Sequence, residues 1–396
     1  MDFLPNSPRR TAGWHGIRRG HQARTLERLA EWVIYAVSLS AVALIFLIFL
    51  FVGREAWPVL IQAPSVNSAA LQEVLPAEQL AQLPRARIQS YLGLTASQMA
   101  SMDAETLRDL MLVREEALQS LPQELRTDPD AKLNTARWPL MILPHQWSGY
   151  SRPEYIWQPI GSIHKYNLVP LLVGSLKTSL IGLAFAVPLA LGAAIYVSQL
   201  APPGLKEWLK PGIELLSGIP SVVMGSFALI VMASFLQKIL GYETRLNAFV
   251  AGIALGTAVI PLVFSIAEDA LTSVPRGCVQ AALALGASKW EAAWQIVLPA
   301  ALPGVFAGVV LGFGRAVGET MIVLLVCSAS VMSWSIFDSA RSITTTIAAE
   351  MAEAVAGSHH YRILFLLGAM LFAFTFVINL LGDLVIHRLK RRLEGK

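Results

Sequence analysis

The chain has 396 residues, 55% of them hydrophobic and 15% charged, with a mean hydropathy of +0.55. Soluble domains carry about a quarter charged residues, so the composition argues against a soluble enzyme and for an integral membrane protein. The 31 Lys and Arg exceed the 27 Asp and Glu by only 4, which is too few and too scattered for nucleic acid. Cys278 and Cys327 propose neither a disulfide framework nor a metal site.

In chain order, a basic tail over residues 1–31 leads into an uncharged stretch over 32–53. About 20 apolar residues cross the roughly 30 Å of bilayer hydrocarbon, so this is a transmembrane helix. No small-residue cleavage site follows it, and it reads as retained, not as a removed signal peptide. Further candidates are 178–205, 215–237, 246–267, a stretch over 292–337 interrupted by Arg315 and Glu319, and 363–382. Arg9, Arg10, Arg18, Arg19, Arg24 and Arg28 at one end, and the basic segment 388–396 at the other, place both termini in the cytoplasm. Parity then requires an even number of spans. The expected fold is an all-α multi-pass protein of the cytoplasmic membrane with six transmembrane helices. The fifth stretch then counts as one helix plus a re-entrant or surface piece. The core would cover 168–387, with an extracytoplasmic insertion over 54–167 and a cytoplasmic loop over 268–300.

The insertion holds 12 acidic and 10 basic residues. Thr95 with Gln98 fits a capping box, and Leu107, Leu110, Met111 and Leu118 recur at helical spacing. Pro76, Pro84, Pro122, Pro129 and Pro139 cut it into short pieces. A small helical subdomain over the transport path or against a partner is one reading, and a solvated spacer is the other.

The 268–300 loop is more specific. Ser273-Val274-Pro275 suits a cap and first turn, and a short helix through Gln280, Ala281 and Ala282 would stop at Gly286 in a left-handed C-cap. Ser288 and Glu291 then form a capping box for a second helix through Ile296 and Leu298 to Pro299. A small apolar arm of this kind suits a groove in another protein, or else packs as an ordinary loop.

Within the spans, Arg315 and Glu319 are four apart, which predicts one shared helix face. Intramembrane charges usually face a protein interior or a watery path. Arg315 could serve an anion with up to five donors, while the bland alternative is an internal ion pair. Ser217 and Ser221 have the same spacing and could donate to an anion or bond back to their helix. Gly252/Gly256 and Gly304/Gly308/Gly312 form small-residue seams, for packing within the chain or against a second subunit. His359-His360 beside Tyr361 lacks the acidic or cysteine residues that would complete a metal site. No phosphate-binding G-x-x-x-x-G-K-[ST] loop, G-x-S-x-G elbow or H-E-x-x-H helix occurs.

Gln280-Ala281-Ala282, Gly286, Ile296 and Leu298-Pro299 resemble the EAA loop of ABC-importer permeases, E-A-A, three residues, G, nine residues, I-x-L-P. Gln280 stands where that family has glutamate, and Glu291-Ala292-Ala293 is a decoy without the downstream spacing. Ser217-Gly218-Ile219-Pro220-Ser221 and Arg315-Ala316-Val317-Gly318-Glu319-Thr320-Met321 resemble segments of Pst-type phosphate importer permeases. Ile347-Ala348-Ala349-Glu350 and Gly357–Tyr361 look more like the PstC-type subunit than the PstA-type. The resemblance covers roughly 157–390. It implies a MetI-like permease working by alternating access, with no cofactor or ATP site of its own and Arg315 and Glu319 in the phosphate path. The implied partners are a PstA-type second permease, two copies of an ATPase docking on the loop, an extracytoplasmic phosphate-binding protein and the surrounding lipid. The alternatives are a sulfate or molybdate importer, an ion-coupled secondary transporter with Arg315 and Glu319 as relay, and a membrane sensor reading through the insertion.

Overall fold

A computed structural model describes residues 21–61, 96–119, 135–160, 163–327 and 332–393, with 82, 84, 88, 92 and 133. The tail 1–20, Thr95, Pro76, Pro122, Pro129 and the last three residues lie outside the described residues. The chain divides into two units, 1–52 and 53–396. Helix α1 (His21–Leu60) is longer than the 32–53 expected. Arg54 and Glu55 are good helix formers and do not stop it. In the first unit it exposes apolar side chains all round, Trp32, Ile34 and Phe46 among them, as a helix bathed in lipid does.

In the second unit the insertion contains α2 (Ala96–Ser101), α3 (Ala104–Gln119), α4 (Trp138–Ile142) and a two-stranded antiparallel ribbon. The ribbon pairs β1 (Trp157–Gln158) with β2 (Lys165–Tyr166), Trp157 opposite Tyr166. Met111 is buried, with Leu107 and Leu110 partly so, and the Leu118 side chain lies outside the described residues. Pro139 opens α4, where its missing N–H costs nothing. Ala56, Val59, Met141, Trp157 and Tyr166 join Ile343 and Ile363 in one core cluster.

The rest is helical: α5 (Val169–Ile195) with a π turn (Tyr196–Leu200), α6 (Pro203–Leu215), α7 (Ser221–Phe227), a π turn (Ala228–Met232) and α8 (Ala233–Leu240). Then come α9 (Ala248–Thr272), α10 (Arg276–Ala284), α11 (Lys289–Ala292), a π turn (Ala293–Val297) and α12 (Leu298–Gly318). Among the described residues, α13 (Met321–Val326), α14 (Ile343–Glu350) and α15 (His359–Leu393) follow. Among the described residues, six helical stretches are long and apolar enough to span a membrane.

Helix α9 is the central post. Gly182 of α5 faces Gly252 and Gly256, and a Cβ on Gly256 would lie 2.7 Å from the Gly182 carbonyl. On another side Gly304, Gly308 and Gly312 of α12 meet Ala270, Ile266 and Val263. Both seams therefore pack within the chain. Lipid offers no hydrophobic gain for bringing helices together, so close backbone approach supplies the dispersion that does.

Candidate functional site

Two interruptions in the helices flank the middle of α9. Lys210 of α6 reaches Glu268 at 2.6 Å and Asp269 at 3.5 Å. Further along, the Thr257 hydroxyl donates to Met224 Sδ at 3.4 Å. Residues 210 to 224 thus run antiparallel to α9 from 268 to 257, and Ser217–Ser221 falls beside that helix's centre. There the chain tightens into a 3₁₀ turn (Leu216–Gly218), passes through extended Ile219 (φ −74°, ψ 122°) and Pro220, and restarts as α7. A residue before proline is driven out of the α region, which explains the break.

On α12, Gly312 meets Val263 and Val259, so Arg315, nearly one turn on, also lies at mid-depth. The helix ends at Gly318, Glu319 is extended (φ −72°, ψ 130°), and α13 begins at Met321. The Thr344 hydroxyl donates to the Glu319 carbonyl at 3.0 Å and so caps a backbone group that the break sets free. The two breaks adjoin. Gly225, one turn into α7, packs so closely that a Cβ there would be 3.2 Å from Ile322 Cα and from the Met321 carbonyl.

These breaks correct two arguments made from spacing. Arg315 and Glu319 do not share a helix face, because the helix stops between them, and Arg315 forms no ion pair among the described residues. Ser217 and Ser221 do not share one either, and the expected 215–237 helix is interrupted at Pro220. The Ser217 hydroxyl bonds back to the Glu214 carbonyl at 2.6 Å, whereas Ser221 has no side-chain hydrogen bond among the described residues.

The chemistry left at the breaks suits an anion. An exposed guanidinium without a counter-ion among the described residues presents its planar donors, and the first N–H groups of the α7 span carry the positive end of a helix dipole. Irregular backbone at membrane depth is tolerated where it is buried in protein or lines a watery path. Here Ser217, Gly218, Ile219, Pro220 and Arg315 are all exposed on the flank of the chain, with Ser221 and Glu319 half-buried.

The loop after α9 forms an exposed elbow. Its helix α10 starts after Pro275, while Ser273 bonds back to the Ala270 carbonyl and is not the cap. Gly286 (φ +91°) closes α10 in a Schellman motif: Ala287 N–H to the Ala282 carbonyl at 3.1 Å and Gly286 N–H to the Leu283 carbonyl at 3.0 Å. The capping box is complete, with Glu291 N–H on Ser288 Oγ at 3.2 Å and Ser288 N–H on Glu291 Oε2 at 2.7 Å. The second arm is not a separate short helix. It continues through the π turn, with Ile296 in it, past Leu298 and Pro299 into α12 as one 30-residue stretch. The π turn sits just before Pro299, whose missing N–H loosens the ladder there. Ala282 is buried against the body, while Gln280, Ala281, Leu285 (90%), Trp290 and Trp294 are exposed.

Two buried carboxylates went unforeseen. Glu268 binds Lys206 and Lys210 of α6, a helix that falls largely between the expected spans 178–205 and 215–237; the i, i+4 lysines opposite an acidic pair were its signal. Glu350 accepts from Trp157 Nε1 at 3.1 Å, pairs with Arg341 at 3.0 Å and lies 3.4 Å from His360 Nε2. Burial holds its carboxyl above the ordinary glutamate range, against the Trp157 hydrogen bond and the Arg341 charge. His359 and His360 pack around Tyr166 in this cluster, and no metal-binding group of three ligands occurs among the described residues.

Residues 186–395 match the family of binding-protein-dependent transport system inner membrane components. The chain is 34% identical over 239 residues to a probable ABC transporter permease, YqgH, of Bacillus subtilis, covering 59% of this chain and 77% of that one. It is 35% identical over 260 residues to the phosphate transport system permease protein PstC of Xylella fastidiosa (60% and 78%). With PstC of Pasteurella multocida the identity is 32% (61% and 80%). A solved inward-facing MetNI methionine ABC transporter superposes with a TM-score of 0.45 at 18% identity, over 56% of this chain and 95% of that one.

Proposed function

Because the chain belongs to the family of binding-protein-dependent transport system inner membrane components, we propose that it is the transmembrane subunit of an ATP-driven importer of inorganic phosphate. Relatives named as phosphate transport permeases of the PstC type support the substrate and the subunit. The observation that carries the reading is the pair of adjoining helix breaks at mid-depth, with Arg315 free to meet an anion. Arg315 is the anion's charged contact, and Glu319, Ser221 and Ser217 border its path.

The path lies on the exposed flank of this chain, so a second permease, PstA-type, closes it. The elbow, Gln280 to Pro299, docks one of two ATPase subunits in the cytoplasm, where both termini also lie. An extracytoplasmic phosphate-binding protein delivers the substrate. Accumulation against a gradient needs two states of different anion affinity, and ATP-driven closure of the ATPases supplies the switch.

The test is labelled phosphate uptake in phosphate-starved cells lacking and then regaining this chain, with sulfate and molybdate as competitors and with ATP depletion and an uncoupler applied separately. ATP-dependent uptake that the other anions do not displace is expected. Unchanged uptake on deletion, or inhibition by the uncoupler alone, would refute it.

A further inference from the structure

Glu268 sits one turn before α9 ends, with 2% of its side chain exposed. Both oxygens are engaged: Oε1 accepts from Lys206 at 3.0 Å and from the Thr272 hydroxyl at 3.0 Å, and Oε2 from Lys210 at 2.6 Å. Asp269 adds its contact to Lys210, and Gln199 donates to the Leu271 carbonyl at 3.4 Å. The last turn of α9 is therefore tied to α6 and to the π turn after α5.

What lies on either side of this tie gives it meaning. Beyond α9 the chain enters the docking elbow within a few residues. Beyond Lys210, α6 runs to Leu215 and stops at the Ser217–Ser221 break. Two lysines and two carboxylates neutralise one another, so the cluster is no anion site. Holding a carboxylate away from water is costly, and apolar packing would tie two helices as well or better. Packing alone thus gives no reason for the group.

We propose that Glu268 is a positioning residue that transmits the ATPase stroke from the elbow to the anion path. This rests on the docking reading above. Displacement of α10 moves the end of α9, the two lysines carry α6 with it, and the chain turns at Ile219–Pro220, between the long 3₁₀ bond from Ile219 N–H to the Leu216 carbonyl (3.3 Å) and the first bonds of α7. Ser217–Ser221 then faces one side of the membrane or the other.

The experiment reconstitutes the complete transporter in proteoliposomes and measures labelled phosphate taken up per ATP hydrolysed. Glu268→Gln, and separately Lys206→Gln with Lys210→Gln, should lower that ratio about tenfold while hydrolysis continues and the ATPase subunit still co-purifies. Lys206→Arg with Lys210→Arg should hold it within about twofold, since charge and reach persist. The lysines are one-third exposed, so their variants report even where Glu268→Gln does not fold. An unchanged ratio in the assembled lysine variant overturns the inference alone, as does an equal loss of uptake and hydrolysis. Retention of the ATPase subunit by Gly286→Pro overturns the docking reading and the inference with it.

Discussion

The elbow after α9 and the two mid-depth breaks both leave the α-helix, and they do so in opposite ways. The elbow closes on itself: its Schellman bonds and capping box all lie between Ala282 and Glu291, and it turns apolar side chains outward. The breaks are opened locally but held from afar, by Thr344 on the Glu319 carbonyl and by Gly225 against Met321, and they turn polar groups outward. A turn satisfied by its own neighbours keeps its shape when the body around it moves, which suits a docking part. A break held by distant elements changes when those elements shift, which suits a path that must open on two sides.

The largest expected effect is at the elbow. Gly286→Pro cannot keep φ +91° and loses the N–H given to Leu283, costing roughly 3 kcal/mol or more. The ATPase subunit should be absent when membranes are solubilised and this chain is pulled down, and normal co-purification would contradict the docking role. Next comes Arg315→Lys, which keeps the charge but loses the planar fork. The KM for phosphate uptake should rise about tenfold, one lost charge-assisted bond at ~1.5 kcal/mol, with the complex intact; an unchanged KM would remove the guanidinium from the path.

Two smaller changes of similar cost separate the regions by readout. Thr344→Val removes the bond to Glu319 for about 1 kcal/mol and should slow uptake severalfold without loosening the ATPase subunit. Ser288→Ala removes the cap for about 1 kcal/mol and should weaken ATPase retention at high salt while leaving the KM for phosphate alone. Interchanged phenotypes would erase the contrast. The smallest effect concerns Glu350. A carboxyl whose folded pKa is raised above 4.5 contributes stability that is full below 4.5 and lost as pH rises through the folded value. Thermal unfolding of Glu350→Gln relative to the parent should therefore shift in the variant's favour between pH 4.5 and 7, and a pH-independent gap would contradict that.

The same contrast explains what could be read in advance. Gly286, Ser288 and Glu291 carry their structure in local bonds, so turn and cap were legible in ten residues. The spans were legible because their polarity is extreme. Arg315 and Glu319 misled because the four-residue rule presumes an unbroken helix, and this helix ends where a threonine 25 residues away holds the carbonyl. Pro220 was a readable sign of a break at Ile219. Helix α6 went unread because Lys206, Glu207, Lys210 and Glu214 exclude it from any apolar span, and its partner Glu268 lies 58 residues from Lys210.

The most direct measurement is Arg315→Ala assayed twice on the same membranes, for labelled phosphate uptake and for the co-purifying ATPase subunit. Loss of two charge-assisted bonds at ~1.5–3 kcal/mol each should reduce uptake at least about a hundredfold with the ATPase subunit fully retained. Uptake that persists in the assembled complex would contradict an anion path through the two breaks.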